Sequence, residues 1–426
     1  MSAPAHAVVS DEQRHVTLTS WKAPVIFGVF TVLFALLPLI GPREGDSTFR
    51  LVRSAAAAIQ LPDLVLPSNA TAWVCVVLMA ASTVLAVVFT KAHRSMPLWL
   101  IAAYVAFLLV GFLSWASAGG TLPMIGLLGG ALALATPLVF GALSGVIGER
   151  AGVINIAIEA QLLSGAFTGA MVGSVTKSPW AGLVGAILAG LLVGLVLAVF
   201  AITYFVSQII VGVVLNVLVI GLTTFFFSTV MSDNPDLLNS PEVFPTIPIP
   251  LLSEIPVLGP VLFRQTIITY LMYVVVFAVS YGLYRTRWGL RLRAVGEHPQ
   301  AADTVGIKVR ATRYRAVMLG GAIAGMGGAF YTLVSNPQFG REMTAGAGFI
   351  ALAAMIFGKW DPIRAALAAL LFGFATNLQG VLSVIGSPVP SQFMLMLPYV
   401  VTLFAVAGLV GRSRPPAANG QPYIKS

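Results

Sequence analysis

The 426-residue chain is poor in the residue types from which reactive and metal-binding sites are made. It has one cysteine, Cys75, inside an apolar run, which excludes an intramolecular disulfide and a thiolate metal cage. Its four histidines, His6, His15, His93 and His298, all fall outside the apolar runs, so a His-ligated redox centre within a membrane is not expected. Only 9% of the residues are Asp, Glu, Lys or Arg, against about 25% in soluble domains. No segment matches the phosphate-binding loop GxxxxGK(S/T). Gly358-Lys359-Trp360 comes nearest, but it lacks the upstream glycine spacing and the hydroxyl residue. If ATP powers this protein, another chain must bind it.

Apolar residues fill the space left by these absences, at 58% of the chain. A soluble globule cannot bury that much apolar surface, because core volume grows too slowly with length. A soluble enzyme, a nucleic-acid module and a disordered chain are therefore excluded as the whole answer. The net charge of +9 then reports basic loops beside a membrane rather than contact with nucleic acid.

A helix needs about 20 apolar residues to cross a bilayer. Nearly charge-free runs of that kind recur near 24–40, 71–90, 97–115, 121–147, 152–175, 180–204, 208–231, 265–284, 316–334, 343–358, 363–384 and 392–411. The fold class is thus an all-α membrane protein, a polytopic bundle of about twelve spans. Residues 1–20 are polar, without a signal peptide's basic start and cleavage site, and read as a cytoplasmic tail. The tail 412–426, with Arg412, Arg414, Pro415 and Pro416, reads as disordered and cytoplasmic.

Orientation follows from the loops. Residues 285–315 hold Arg285, Arg287, Arg291, Arg293, Lys308, Arg310, Arg313 and Arg315 against Glu297 and Asp303. Residues 232–264 hold Asp233, Asp236, Glu242 and Glu254 against Arg264, with many prolines. Short basic loops stay in the cytoplasm, so twelve spans put 285–315 and both termini inside and 232–264 outside. An internal repeat is also suggested. Leu128-Gly129-Gly130-Ala131-Leu132 resembles Leu319-Gly320-Gly321-Ala322-Ile323, and each is followed by a glycine-flanked charged break, Gly148-Glu149-Arg150 and Gly340-Arg341-Glu342. Inverted repeats are common in transporters, although Gly-Gly-Ala is also frequent wherever membrane helices pack closely.

Glu159 is the one charged residue well inside these runs, and a charge at mid-membrane costs at least about 2.5 kcal/mol on insertion scales. Asn155 lies four residues before it, so on a helix the two share a face. They either line a substrate path or hold a broken helix. Asn216 and Asn377 are uncharged amides in other spans, suited to contacting a substrate or to cross-linking helices. The rings of Phe225, Phe226, Phe227, Phe330 and Tyr331 could stack on a planar base or a sugar face, but at helical spacing they read equally as lipid-facing or core. In the basic loop, Pro299 suits a first helical turn and Gly306 a C-terminal cap. Between them Ala302 and Val305 make a small apolar face, with Asp303 pointing away. A helix this short is not stable alone; it should rest on a partner protein or on anionic headgroups.

The run Arg287-Trp288-Gly289-Leu290-Arg291-Leu292-Arg293-Ala294-Val295-Gly296-Glu297-His298-Pro299-Gln300-Ala301-Ala302-Asp303-Thr304-Val305-Gly306-Ile307 resembles the cytoplasmic signature of ABC importer permeases. The branch is that of the branched-chain amino acid, ribose, simple-sugar and nucleoside permeases. The glycine-rich helix Leu319–Ala329 follows in the same manner, and Glu149–Glu159 resembles the form seen in the nucleoside permeases. Asn155 stands where sugar permeases of this branch usually carry Asp. Two departures are Ala160, where relatives often have Gly, and 358–364, which lacks a usual extra glycine.

The resemblance covers about 121–411 and leaves 21–120, with about three spans, as an extension. It implies a permease subunit without catalytic residues or bound cofactor, with ATP and Mg on two partner ATPase subunits. Those subunits would grip the short cytoplasmic helix through Gly289, Glu297, Pro299, Ala301, Ala302, Asp303 and Gly306. A second permease subunit, identical or different, would complete the pathway. A substrate-binding lipoprotein or periplasmic protein would deliver ligand at 232–264. The expected location is a bacterial plasma membrane, in contact with lipid and not nucleic acid. Nucleosides are the expected substrate, with simple sugars as the alternative. An ion-coupled secondary transporter is the alternative of another class, but it usually carries several mid-membrane ionisable groups, and here Glu159 stands nearly alone.

Overall fold

The computed structural model describes residues 21–52, 61–94, 96–386, 392, 396 and 414–425. The expected N-terminal tail, 1–20, and most of the expected span 392–411 lie outside the described residues. The chain divides into two compact units, Met1–Asp46 with Leu66–Ala118, and Ser47–Val65 with Gly119–Ser426.

The first unit holds α1 (Lys22–Ile40), α2 (Ser68–Lys91) and α3 (Leu98–Ala116). On α2 the buried residues are Ser68, Ala72, Cys75, Met79, Ser82, Ala86 and Thr90. That three-and-four spacing gives one narrow seam along the helix. Cys75 is part of this seam: a side chain at Gly111 would place its Cβ 2.7 Å from Cys75 Cβ. The lone cysteine is a packing residue. Tyr104 donates to the Phe27 carbonyl at 2.7 Å, which satisfies its hydroxyl inside the seam.

The second unit contains α4 (Met124–Arg150), α5 (Ile158–Thr176), α6 (Pro179–Ala198) and α7 (Gln208–Phe226). The short helices α8 (Pro235–Leu238) and α9 (Leu258–Leu262) follow, then α10 (Ile267–Arg285), α11 (Arg287–Glu297) and α12 (Pro299–Thr304). The unit continues with α13 (Val309–Phe330), α14 (Ala347–Phe357) and α15 (Pro362–Ile385). Helix starts follow local chemistry. Ser178 and Asp361 cap α6 and α15, each with proline in the first turn, where its missing N–H is not needed. α6, α7 and α13 each run on into a π turn. In the segment before α10, Thr246–Pro248 pairs antiparallel with Arg264–Thr266.

Among the described residues, six helices of the core show an internal exchange. α4 packs on α15 as α13 packs on α6, α4 meets α14 as α13 meets α5, and α4 and α13 lie against each other. Swapping α4–α5–α6 for α13–α14–α15 leaves this pattern unchanged, as the repeat suggested by the two Gly-Gly-Ala stretches requires. Their glycines do equivalent work. A side chain on Gly130 of α4 would strike Asn377 of α15 at 2.6 Å, and one on Gly321 of α13 would strike the Gly190 carbonyl of α6 at 2.3 Å. Small residues let these backbones approach where lipid gives no hydrophobic drive between helices.

Nine helices among the described residues are long and apolar enough to cross a membrane. α5 is not among them, its apolar run being interrupted by Glu159, Gln161 and Ser164. The segment 343–358, expected as a span, is instead the eleven-residue α14. At 1.5 Å per residue it measures about 16 Å, too short for a hydrocarbon core of about 30 Å. Its hydropathy extends into Thr344–Gly346, which form a turn with Gly346 at φ +83°. The C-terminal tail, expected to be disordered, is ordered over 414–425 by hydrogen bonds to four distant parts of the chain, described below.

Candidate functional site

α4 ends at Arg150, and the chain stays non-helical until α5 begins at Ile158. α5 then runs back along α4, while α14 runs in the same direction as α4. Side chains added at Gly141 and Gly145 of α4 would strike Ala351 and Met355 of α14 at 2.8 and 2.7 Å, and Ile158 of α5 at 3.0 and 3.3 Å. The N-termini of α5 and α14 thus meet beside Gly141, nine residues or about 14 Å from the Arg150 end.

Glu159 sits at that meeting point, 4% exposed. One carboxylate oxygen accepts from Thr344 Oγ1 at 2.6 Å and from Gly346 N at 2.9 Å; the other accepts from Gly348 N at 2.6 Å. The carboxylate therefore caps the first turn of α14, where the helix dipole and free N–H groups favour an anion. Three donors offset the cost of burying the charge. Gly348 must be glycine, since its Cβ would fall 2.3 Å from Glu159 N.

The start of α5 is held by α7. Asn216 Oδ1 accepts from Ala160 N at 3.0 Å and Asn216 Nδ2 donates to the Ile156 carbonyl at 3.0 Å. Gln208 Oε1 accepts from Ile154 N at 2.6 Å. Asn155 is 1% exposed and donates to Ser144 Oγ and to Gln161 Oε1, both at 3.1 Å. It does not share a helical face with Glu159, as the spacing alone suggested. Gly152, at φ +86°, turns the chain out of the helix and places Asn155 in the break. Asn377 lies apart from the other three, donating to the Leu127 carbonyl at 2.7 Å near the opposite end of α4. Ser144, Gln161, Gln208 and Thr344 complete this polar network and were not singled out from the sequence. Gln161 carried a signal, as an amide two residues beyond the lone carboxylate. Of the aromatic residues noted, Phe227 packs on Phe339 with ring centroids 5.8 Å apart, and Phe330 is buried.

At the Arg150 end lies the basic segment. Thr286 caps α11 by accepting from Gly289 N at 3.2 Å. Gly289 permits the sharp turn from α10, because a Cβ there would meet the Gly282 carbonyl at 2.2 Å. The short helix expected over Pro299–Gly306 is present as α12, with Pro299 in its first turn and Gly306 at φ +84°. Its expected apolar face is divided. Val305 is 75% exposed, whereas Ala302 is 3% exposed and packs with Val295, Val309 and Tyr423. The reason is the chain reversal at Gly306, with Ile307 N bonded to the Ala302 carbonyl at 3.0 Å, which turns Ala302 inward. Pro299 and Gly289 are also buried and Asp303 half-buried, while Glu297, Ala301 and Gly306 are exposed. The outward surface of α12 is Gln300, Ala301, Thr304 and Val305.

Glu149 forms a second buried carboxylate site. Its Oε2 accepts from Trp360 Nε1 at 2.6 Å and from Asn419 Nδ2 at 2.9 Å. Arg150 Nε donates to the Trp360 carbonyl at 2.9 Å. The turn they hold has Lys359 at φ +57° and Trp360 at φ +55°, a conformation that favours glycine. This is the stretch that lacks the usual extra glycine, and Glu149 and Arg150 hold it in place.

The permease-component model of branched-chain amino acid transport systems matches residues 127–406. The chain belongs to this permease family. It is 40% identical over 307 residues to the guanosine ABC transporter permease protein NupQ of Bacillus subtilis, covering 69% of this chain and 95% of the relative. It is 40% identical over 310 residues to the nucleoside ABC transporter permease protein NupC of Lactococcus lactis, with the same coverage. A candidate glucose ABC transporter permease of Haloferax volcanii is 35% identical over 310 residues, 68% of this chain and 92% of the relative. Bacillus subtilis and Lactococcus lactis each also carry a more distant relative, NupP and NupB, at 25% and 24% identity. No solved structure matches the permease chain. As a member of this family with nine candidate spans among the described residues, it is a multi-pass membrane protein and a transporter component rather than an enzyme.

Proposed function

We propose that this permease is one of two different permease subunits in an ATP-driven importer of nucleosides. The observation that carries the reading is its 40% identity to guanosine and nucleoside permeases over 95% of their lengths. The second, more distant permease in each of those organisms supports a heteromeric pair. In this reading the basic end, with Arg150, α11 and α12, faces the cytoplasm of a bacterial cell. Two ATPase subunits dock there on the exposed side of α12 and carry ATP and Mg. A substrate-binding lipoprotein or periplasmic protein delivers ligand at 232–264.

The α5–α14 meeting point suits such a mechanism. Two helices that start in mid-bundle can rock about their joined N-termini while the long helices around them stay intact. Glu159 keeps those N-termini together, and the Asn155 network fixes the break that lets α5 start there. This chain's residues supply the pathway and its hinge, and no bond is made or broken on them.

The test is uptake of labelled guanosine by cells that express the chain with its partner permease, ATPases and delivery protein. Purine nucleosides should compete, ribose and leucine should not, and deleting the ATPases should abolish uptake. Uptake that survives that deletion and collapses with the proton gradient would overturn the ATP-driven reading. Competition by glucose or leucine alone would overturn the nucleoside assignment.

A further inference from the structure

Residues 414–425 lie beyond the stretch matched by the permease family model, and nothing in the transport reading uses them. They make an unusual set of contacts for a proline- and glycine-bearing tail. On one side they hold the docking element. Ala418 N donates to the Gly296 carbonyl at 2.9 Å and Ala417 N to Glu297 Oε2 at 3.1 Å. Tyr423 is buried with Val295 of α11, Ala302 of α12 and Val309 of α13. On the other side they hold the end of α4 and the break before α5. Asn419 Nδ2 donates to Glu149 Oε2 at 2.9 Å, and Gly420 N donates to the Gly152 carbonyl at 3.2 Å. Arg313 Nη1, at the start of α13, donates to the Gln421 carbonyl at 2.8 Å.

The two sides meet where the strap crosses them. A Cβ on Gly296 would fall 2.1 Å from the Arg150 carbonyl, and one on Gly152 would fall 2.9 Å from Arg313 Nη2 and 3.1 Å from the Ala418 carbonyl. Both glycines are needed for the docking element, the broken helix and the strap to lie backbone to backbone. Short backbone contacts transmit displacement with little slack, because packed elements rearrange as units rather than deform.

We infer that 414–425 is a transmission strap, which staples α11 and α12 to Glu149 and Gly152 so that a push on α12 moves the α4 end and the α5 break together. The proposal rests on the reading of α12 as an ATPase-docking helix. It adds that docking alone does not drive the pathway. Asn419 and Tyr423 are then positioning residues, acting through Glu149 and Ala302. An inert tail would make a different prediction, since its removal would lower folded protein without changing the yield of transport per ATP.

The experiment uses the complete complex in proteoliposomes, measuring guanosine uptake and ATP hydrolysis at matched amounts of protein. The variants are a stop at Arg414 and the double substitution Asn419→Ala with Tyr423→Ala. Each removes a bond to a buried carboxylate together with apolar packing, enough for about a tenfold fall in guanosine moved per ATP hydrolysed. ATPases should still co-purify, and Tyr423→Phe, which keeps the ring packed on Ala302 but loses the hydroxyl's bond to Asp303, should lose less of the ratio than the double variant. If the stop variant is made in low yield, the double variant decides by the same ratio. An unchanged ratio in the double variant overturns the strap, whether uptake per complex is normal or falls in step with hydrolysis. Failure of the wild-type complex to couple hydrolysis to uptake would instead overturn the importer reading itself, so the two failures are distinguishable.

Discussion

Glu149 and Glu159 are ten positions apart and both buried, yet they hold opposite ends of the same short helix in different ways. Glu159 takes two backbone N–H groups and a hydroxyl at the start of α14. Glu149 takes the Trp360 indole just beyond its end and the Asn419 amide of the strap. The first clamp is made on the backbone at a helix N-terminus, where the donors cannot turn away. The second is made chiefly through side chains from separate elements, which can reorient, with the backbone of Asn155 as a further donor. In the proposed rocking of the bundle, the Glu159 end would be the pivot and the Glu149 end the part that travels.

The comparison can be broken most severely at Gly348. Gly348→Ala places a Cβ 2.3 Å from Glu159 N, so α5 and α14 must separate. We expect a loss of about 3 kcal/mol or more, read as a collapse of folded protein in membranes and of thermal stability in detergent. Glu159→Gln comes next. It turns an NH2 group toward backbone donors and leaves one of them buried without an acceptor, at about 2–3 kcal/mol. Glu149→Gln should cost less, about 1 kcal/mol, because the indole and the Asn419 amide can both still reach its remaining oxygen. If thermal melts give equal losses for the two Glu→Gln variants, the distinction between pivot and travelling end fails.

The smallest stability effects are expected away from α14. Asn377→Leu removes a cross-link between α15 and the Leu127 carbonyl, worth about 0.6 kcal/mol as such bonds average in membranes, and should leave uptake per ATP unchanged. Val305→Arg, on the exposed side of α12, should leave the melting temperature unchanged while reducing ATPase co-purification. Ala302→Arg would instead force a guanidinium into the Val295–Tyr423 cluster and destabilise the element itself.

Much of the bundle was legible from apolar spacing, because a membrane helix announces itself by length and lack of charge. Glu159 stood out for the same reason, as a charge where none is affordable without partners. The Pro299 start and Gly306 reversal marked α12 before its surroundings were known. Other features depend on contacts that no local pattern carries. Asn155 and Glu159 read as one helical face until Gly152 took the chain out of the helix. α14 read as a span because Thr344–Gly346 are mild in hydropathy, though they form the turn that Glu159 holds. The burial of Ala302 and the order of 414–425 explain each other across more than a hundred residues, since Tyr423 covers Ala302 and both need the glycines at 152 and 296.

The most direct test of the central claim is ATP-driven guanosine accumulation in proteoliposomes by wild-type and Glu159→Gln complexes at matched folded protein and matched hydrolysis. If Glu159 holds the pivot of the pathway, the variant should accumulate about tenfold less nucleoside for the same ATP consumed. Equal accumulation by the two complexes would contradict it.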